Sequence, residues 1–184
     1  MKTLVSLLCF ATGLAVAQAQ SYTVTLDANQ EAIPTGGRTG TGIGNITLSG
    51  NTLSLSVTFS GLSGIFSADH IHGPAAATPA TTAGVLYSLA GITTTSAGGH
   101  AGAIQGNVTL LAGTGGFDLP TQLNQLNSGL WYVNIHTGAS APSPGFAGGE
   151  IRGQILPVPE PSTLALAGLG LGGLLVWRMR RRAG

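Results

Sequence analysis

Ala68-Asp69-His70-Ile71-His72-Gly73-Pro74-Ala75 sets the reading of this chain, together with Trp131-Tyr132-Val133-Asn134-Ile135-His136-Thr137 and Gly148-Gly149-Glu150-Ile151-Arg152-Gly153-Gln154. Side chains on an extended strand alternate between two faces. His70 and His72 therefore share one face and Ile71 takes the other. In the second segment Trp131, Val133 and Ile135 form an apolar face opposite Tyr132, Asn134 and His136. In the third, Ile151 and Ile155 oppose Glu150, Arg152 and Gln154. Three of the four histidines and a close Glu/Arg pair thus fall on the non-core faces of three expected strands.

The flanking sequence continues the two-residue period. Tyr22, Val24 and Leu26 alternate with Thr23 and Thr25. Segments from Gly42 to Leu48 and from Thr52 to Phe59 flank Ser49-Gly50-Asn51, a short loop of residues that tolerate positive φ, which predicts a hairpin. Ile43 and Ile46 differ in parity, and a β-bulge at Gly44-Asn45 would reconcile them. Val85, Tyr87 and Leu89 mark another strand; Ile104, Val108 and Leu110 mark one more, with Gly106 at the matching position. Asp118 to Gly129 is the single helical segment expected in the body, with an Asp cap, an early Pro120 and a terminal glycine. About eight short strands with regular turns predict an all-β, antiparallel Greek-key sandwich or barrel carrying one short helix.

The three opening segments resemble, in order and almost word for word, the signature of the CHRD (chordin) domain family, and the resemblance runs from about Tyr22 to Leu156. It implies an extracellular β-rich module. In chordin itself, such domains sit in an extracellular antagonist of signalling ligands.

Composition agrees with export. Only 7% of residues are charged, and 30 are glycine. Most of the positive charge lies at the ends: Lys2, then Arg178, Arg180, Arg181 and Arg182. Between residues 21 and 157, two arginines face five acids, which leaves no basic patch for a nucleic acid. Residues 1–19 read as a signal peptide: Met1-Lys2, an apolar run from Leu4 to Ala17, and small residues that place cleavage after Ala17 or Ala19. Cys9 lies within that segment, so the mature chain has no thiol for disulfides or nucleophilic catalysis.

Residues 158–184 form a second targeting segment, leaving 21–157 as the body. Pro159-Glu160-Pro161 precedes an apolar stretch from Ser162 to Trp177 and then an arginine-rich tail. This order is similar to the PEP-CTERM sorting signal, which implies recognition by an exosortase at the inner membrane. About 16 helical residues rise roughly 24 Å, slightly less than a ~30 Å hydrocarbon core, and the arginines should remain cytoplasmic. Export through the inner membrane is expected, then release to the surface or medium after C-terminal processing, or else retention by the single span. Gly168-Leu169-Gly170-Leu171-Gly172-Gly173 matches a dinucleotide-binding pattern in letters alone, because no strand precedes it.

The body shows no nucleophile motif and no paired carboxylates of the glycosidase kind. Its sharp feature is His70, His72 and His136: three imidazoles from two strands can hold copper or zinc and leave a position open. Tyr132, Asn134, Glu150 and Arg152 would then orient ring nitrogens or tie strands together as a hydrogen-bonded network. Unshifted imidazoles would lose the metal below about pH 6.5 by protonation. The pattern also resembles, more distantly, copper/zinc superoxide dismutase. That likeness implies copper at His70, His72 and His136, an anion-guiding Arg152, and only His100 to stand in as a fourth ligand. The zinc loop and cysteine pair of that family are missing here. Two functions follow: a non-enzymatic surface or matrix module for an extracellular ligand, sorted by an exosortase, and, as the alternative, a secreted copper- or zinc-binding protein with dismutase-like redox chemistry.

Overall fold

A computed structural model describes residues 19–33, 36–78, 80–159 and 163–182. In chain order the strands are β1 (Gln20–Asp27), β2 (Thr41–Ser49), β3 (Thr52–Ser60), β4 (Ile65–His72), β5 (Val85–Ser88), β6 (Thr93–Thr95), β7 (Gly102–Thr109), β8 (Tyr132–Gly138), β9 (Phe146–Gln154) and β10 (Leu156–Pro157). Helix α1 (Leu119–Asn127) precedes β8, and α2 (Thr163–Arg182) closes the described chain. All strand pairs are antiparallel, in the order β5-β4-β8-β9-β1-β2-β3-β7-β6, with β10 on β1. This is one curled sheet, a half-barrel, and not two stacked sheets. Two of the ten strands, β6 and β10, are short pieces that sequence periodicity does not mark.

The curl follows from where the apolar residues point. Tyr22, Val24, Leu26, Leu53, Val57 and Phe59 from one half share a core with Ile71, Val133, Ile135 and Ile151 from the other. Each such side chain contributes about 1.5–3 kcal/mol when fully buried. Only a sheet bent on itself brings both sets together.

Glycine resolves the parity conflict in β2 without a bulge. The β1–β2 and β2–β3 registers run unbroken through Gly44 and Asn45. Ile46 faces inward, so Gly44 does too, and Ile43 points out at 66% exposure. A side chain at Gly44 would strike the Val57 side chain and the Ser56 carbonyl. The expected bulge is therefore absent, and close packing replaces it.

The helix forms as its sequence dictates. The Asp118 carboxylate accepts from the Thr121 amide, Pro120 occupies the first turn, and Ser128 caps the end. Such a cap stabilises by about 1 kcal/mol. Gln125 of α1 accepts from the Trp131 indole, fixing the start of β8. Trp131 in turn lies so close to Gly73 that a Cβ there would meet its ring, which explains the glycine after His72.

Candidate metal centre

β4 pairs with β8 so that His70 faces Asn134 and His72 faces Tyr132. His136 lies two residues beyond Asn134 on the same face. The register slips between Phe66 and Ala68 on β4 and between Ile135 and Thr137 on β8, beside His136. One ligand nitrogen from each of His70, His72 and His136 lies within 4.8 Å of the other two. The dismutase likeness needs a further histidine, but His100 is exposed, bonded to the Leu62 carbonyl, and not part of this cluster.

The face carrying the histidines is largely covered, with His70 half-buried at its edge. Residues 73–78, 80–84 and 138–147 fold over it, and they provide the groups that orient the rings. His72 Nδ1 lies 2.9 Å from the Ala83 carbonyl, and His136 Nδ1 lies 2.9 Å from the Ala147 carbonyl. A carbonyl only accepts, so both Nδ1 atoms carry the proton and both Nε2 atoms present a lone pair. His72 Nε2 is buried without a partner. His136 Nε2 faces His70 Nδ1 at 3.1 Å, which makes His70 the donor. Two ligands on one tetrahedral ion with ~2.1 Å bonds stand about 3.4 Å apart. A metal replacing that shared proton would therefore need little movement from this pair. His70 is the half-buried member and forms the entrance.

Burial pushes His136 down to about 4, with His70 and His72 acting in the same direction against the bond to Ala147. Burial also lowers His72, against its bond to Ala83. Both rings stay neutral well below the range of free imidazole.

The surrounding residues tie loops and strands together around the histidines. Tyr132 stacks on His72 at 5.1 Å, and its hydroxyl accepts from the Ala83 amide, so it holds the loop that holds His72. The Arg152 guanidinium lies over the Tyr132 ring, 3.5 Å from its centroid. Arg152 donates to the Thr81 and Ala76 carbonyls and to Gln154 Oε1 and is 1% exposed. It ties down the covering loop and is in no position to guide an anion from solvent. Glu150 does not reach the histidines: its carboxylate accepts from the Ser63 amide and hydroxyl, the Gly64 amide and Thr137. Burial raises that carboxyl, but these bonds hold it below its ordinary value. No Glu150–Arg152 pairing is found among the described residues. Asn134 donates to the Gly148 carbonyl, while its Oδ1 has no partner.

Sequence reasoning missed the Ala83 and Ala147 carbonyls, which no side-chain pattern reveals, and Glu31. Glu31 is 8% exposed, and its Oε1 is unpartnered at the same spot as Asn134. Of the targeting residues, Ala19 and Pro159 fall within the described chain. Ala17, Glu160 and Pro161 lie outside the described residues.

A model of the CHRD domain matches residues 22–155. The chain belongs to the CHRD domain family. A model of the PEP-CTERM protein-sorting motif matches residues 157–182, which implies recognition by an exosortase and membrane-associated sorting during export. No curated protein matches the chain, and no solved structure does. The CHRD match spans all three histidines. Among the described residues no helix is long and apolar enough to cross a membrane.

Proposed function

We propose that this CHRD protein is exported to hold a copper or zinc ion at His70, His72 and His136. The observation that carries the reading is the convergence of three ligand nitrogens within 4.8 Å, with His72 Nε2 buried and unpartnered. An orphaned buried polar atom costs about 1–3 kcal/mol, and a coordinate bond removes that cost. The donor set selects the metal class. Three imidazoles suit copper and zinc, no thiol or thioether is present to favour Cu(I), and no carboxylate to favour magnesium or calcium. The ion would supply Lewis acidity and, as copper, one-electron chemistry. The chain's own residues fix two rings through Ala83 and Ala147, exclude bulk water with two loops, and leave access beside His70.

In this reading residues 1–19 are removed as a signal peptide, 21–157 form the metal-holding body, and the C-terminal segment is a transient single span. Titration of the untagged protein with copper(II) and zinc(II), beside a His70→Ala/His136→Ala double variant, tests it. Tight binding by wild type alone supports a metal centre. Equally weak binding by both makes the histidines structural and returns the protein to a non-enzymatic module for an extracellular ligand. C-terminal mapping of the exported protein tests sorting, since recovery of Arg180–Arg182 on most molecules would mean a permanent anchor.

A further inference from the structure

The polar layer contains a second unsatisfied pair beside the histidines. Glu31 ends the 3-10 turn Ala28–Gln30, and its carboxyl reaches under Gly149. Gly149 has φ +122°, and a Cβ there would collide with Glu31 Oε1 and with both amide atoms of Asn134. The two side chains therefore meet at one point. Asn134 Nδ2 donates to the Gly148 carbonyl, which fixes the amide, and Oδ1 lies beside Gly149 as Glu31 Oε1 does. Glu31 Oε1 and Asn134 Oδ1 are both buried and both unpartnered. Two bare acceptors cannot satisfy each other, but a protonated carboxyl can donate to the amide oxygen.

Asn134 is also the cross-strand neighbour of His70, on the face that carries His72 and His136. A divalent ion on three neutral imidazoles brings two uncompensated positive charges into this layer. Of the other acids among the described residues, only Asp69 keeps a buried unpartnered oxygen, on the core face of β4 that it shares with Ile71. Glu150 is taken by Ser63, Gly64 and Thr137, and Asp69 lies on the opposite side of β4 and accepts from Thr93. Asp27 accepts from Asn29 and Gln30, and Asp118 caps α1. The charged groups acting on Glu31 are Arg38 and Arg152. Arg38 donates to the Ile33 carbonyl and Arg152 is tied to the covering loop.

Resting on the metal reading above, we propose that loading the three-histidine centre expels the proton of Glu31, whose carboxylate then serves as the counter-charge of the bound ion. The balance is simple: the Glu31 O–H bond breaks heterolytically, its electron pair stays on the carboxylate, and the proton leaves to solvent. The proton is present to be lost at neutral pH, because burial raises Glu31 to about 7 against the pull of Arg38 and Arg152. Metal affinity then rises with pH, by up to about tenfold per unit below pH 7, and levels off above it. The centre would load in neutral surroundings and release in acid.

The test is calorimetric titration of the untagged full chain with zinc(II) at pH 6.5, in two buffers of different ionisation enthalpy, for wild type and Glu31→Gln. Glutamine keeps a donor for Asn134 Oδ1. Wild type should release about three-quarters of a proton more per ion than the variant. Equal proton counts overturn the proposal while leaving the metal centre standing. Failure of wild type to bind zinc or copper overturns both. Difference infrared spectra of wild type give a check that needs no variant: a protonated-carboxyl stretch should vanish on zinc addition, and its persistence also overturns the proposal.

Discussion

Two halves of one sheet obey different rules. In β1, β2, β3 and β7 the outer face meets water, and burial alternates residue by residue: Leu53, Val57 and Phe59 lie inside while Ser54, Ser56 and Thr58 are exposed. In β8 every residue from Tyr132 to Thr137 is buried. The strand chemistry is similar, but β4, β8 and β9 carry a third layer, formed by loops 73–84 and 138–147 and the segment after β1. Once covered, a polar face must bond, ligate or pay a desolvation cost. The five buried side-chain atoms left without partners among the described residues, on Glu31, Arg38, Asp69, His72 and Asn134, all belong to the covered half or the segment that covers it.

The strongest way to break this contrast is a charge placed on either side of it. Val133→Asp should cost more than about 4 kcal/mol and unfold the protein, because the carboxylate finds no partner in the core. Urea denaturation measures it, and a mild effect would mean the two halves do not share a core. Next in size, Arg152→Met should lose about 2–4 kcal/mol, since it frees the Thr81 and Ala76 carbonyls and releases the covering loop. Limited proteolysis within residues 75–83 should accelerate in parallel. A silent variant would show that the loop is held by other contacts.

A smaller effect sharpens the electrostatics of the covered half. His136, lowered to about 4 from 6.5, contributes stability that is full above pH 6.5 and lost as pH falls towards 4. Glu31, raised to about 7 from 4.5, contributes stability that is full below pH 4.5 and lost as pH rises to 7. Each is worth up to about 3 kcal/mol, and between pH 4.5 and 6.5 they oppose each other. Metal-free wild type should show a near-flat stability there. Glu31→Gln should lose stability towards acid and His136→Gln towards neutral pH, each by up to about 1.4 kcal/mol per unit. Parallel slopes in the two variants would refute this. Smallest of all, Ser56→Asp on the wet face should change stability by less than about 0.5 kcal/mol.

What could be read beforehand follows the same division. The hairpin around Gly50 and the inward set of β3 were legible because alternation there reports both sheet and solvent. On β4 and β8, parity placed His70, His72 and His136 on one kind of face. It could not show that β4 and β8 pair directly, nor that loops cover the face. Ring orientation was illegible, because it rests on the carbonyls of two alanines. Glu31 stood in a turn-rich stretch with nothing in its spacing to link it to Asn134. Gly44 was misread as a bulge because a missing side chain and a shifted register look alike in one dimension. β6 escaped notice because Thr93–Thr95 is made a strand by pairing with β7 rather than by any apolar period.

The tethering of Arg152 has a consequence for life outside the cell. From residue 20 to 159 the chain contains no lysine and only two arginines, Arg38 and Arg152. A protease with trypsin-like preference must draw an extended segment around its target residue into its cleft. Arg152 is held mid-strand between β8 and β1, with its side chain tied to a loop on the far side. The folded body therefore offers such enzymes one address, Arg38, on the connection between β1 and β2. A cut there would divide the chain while β1 stayed zipped to β2, leaving a nicked molecule that still travels as one particle.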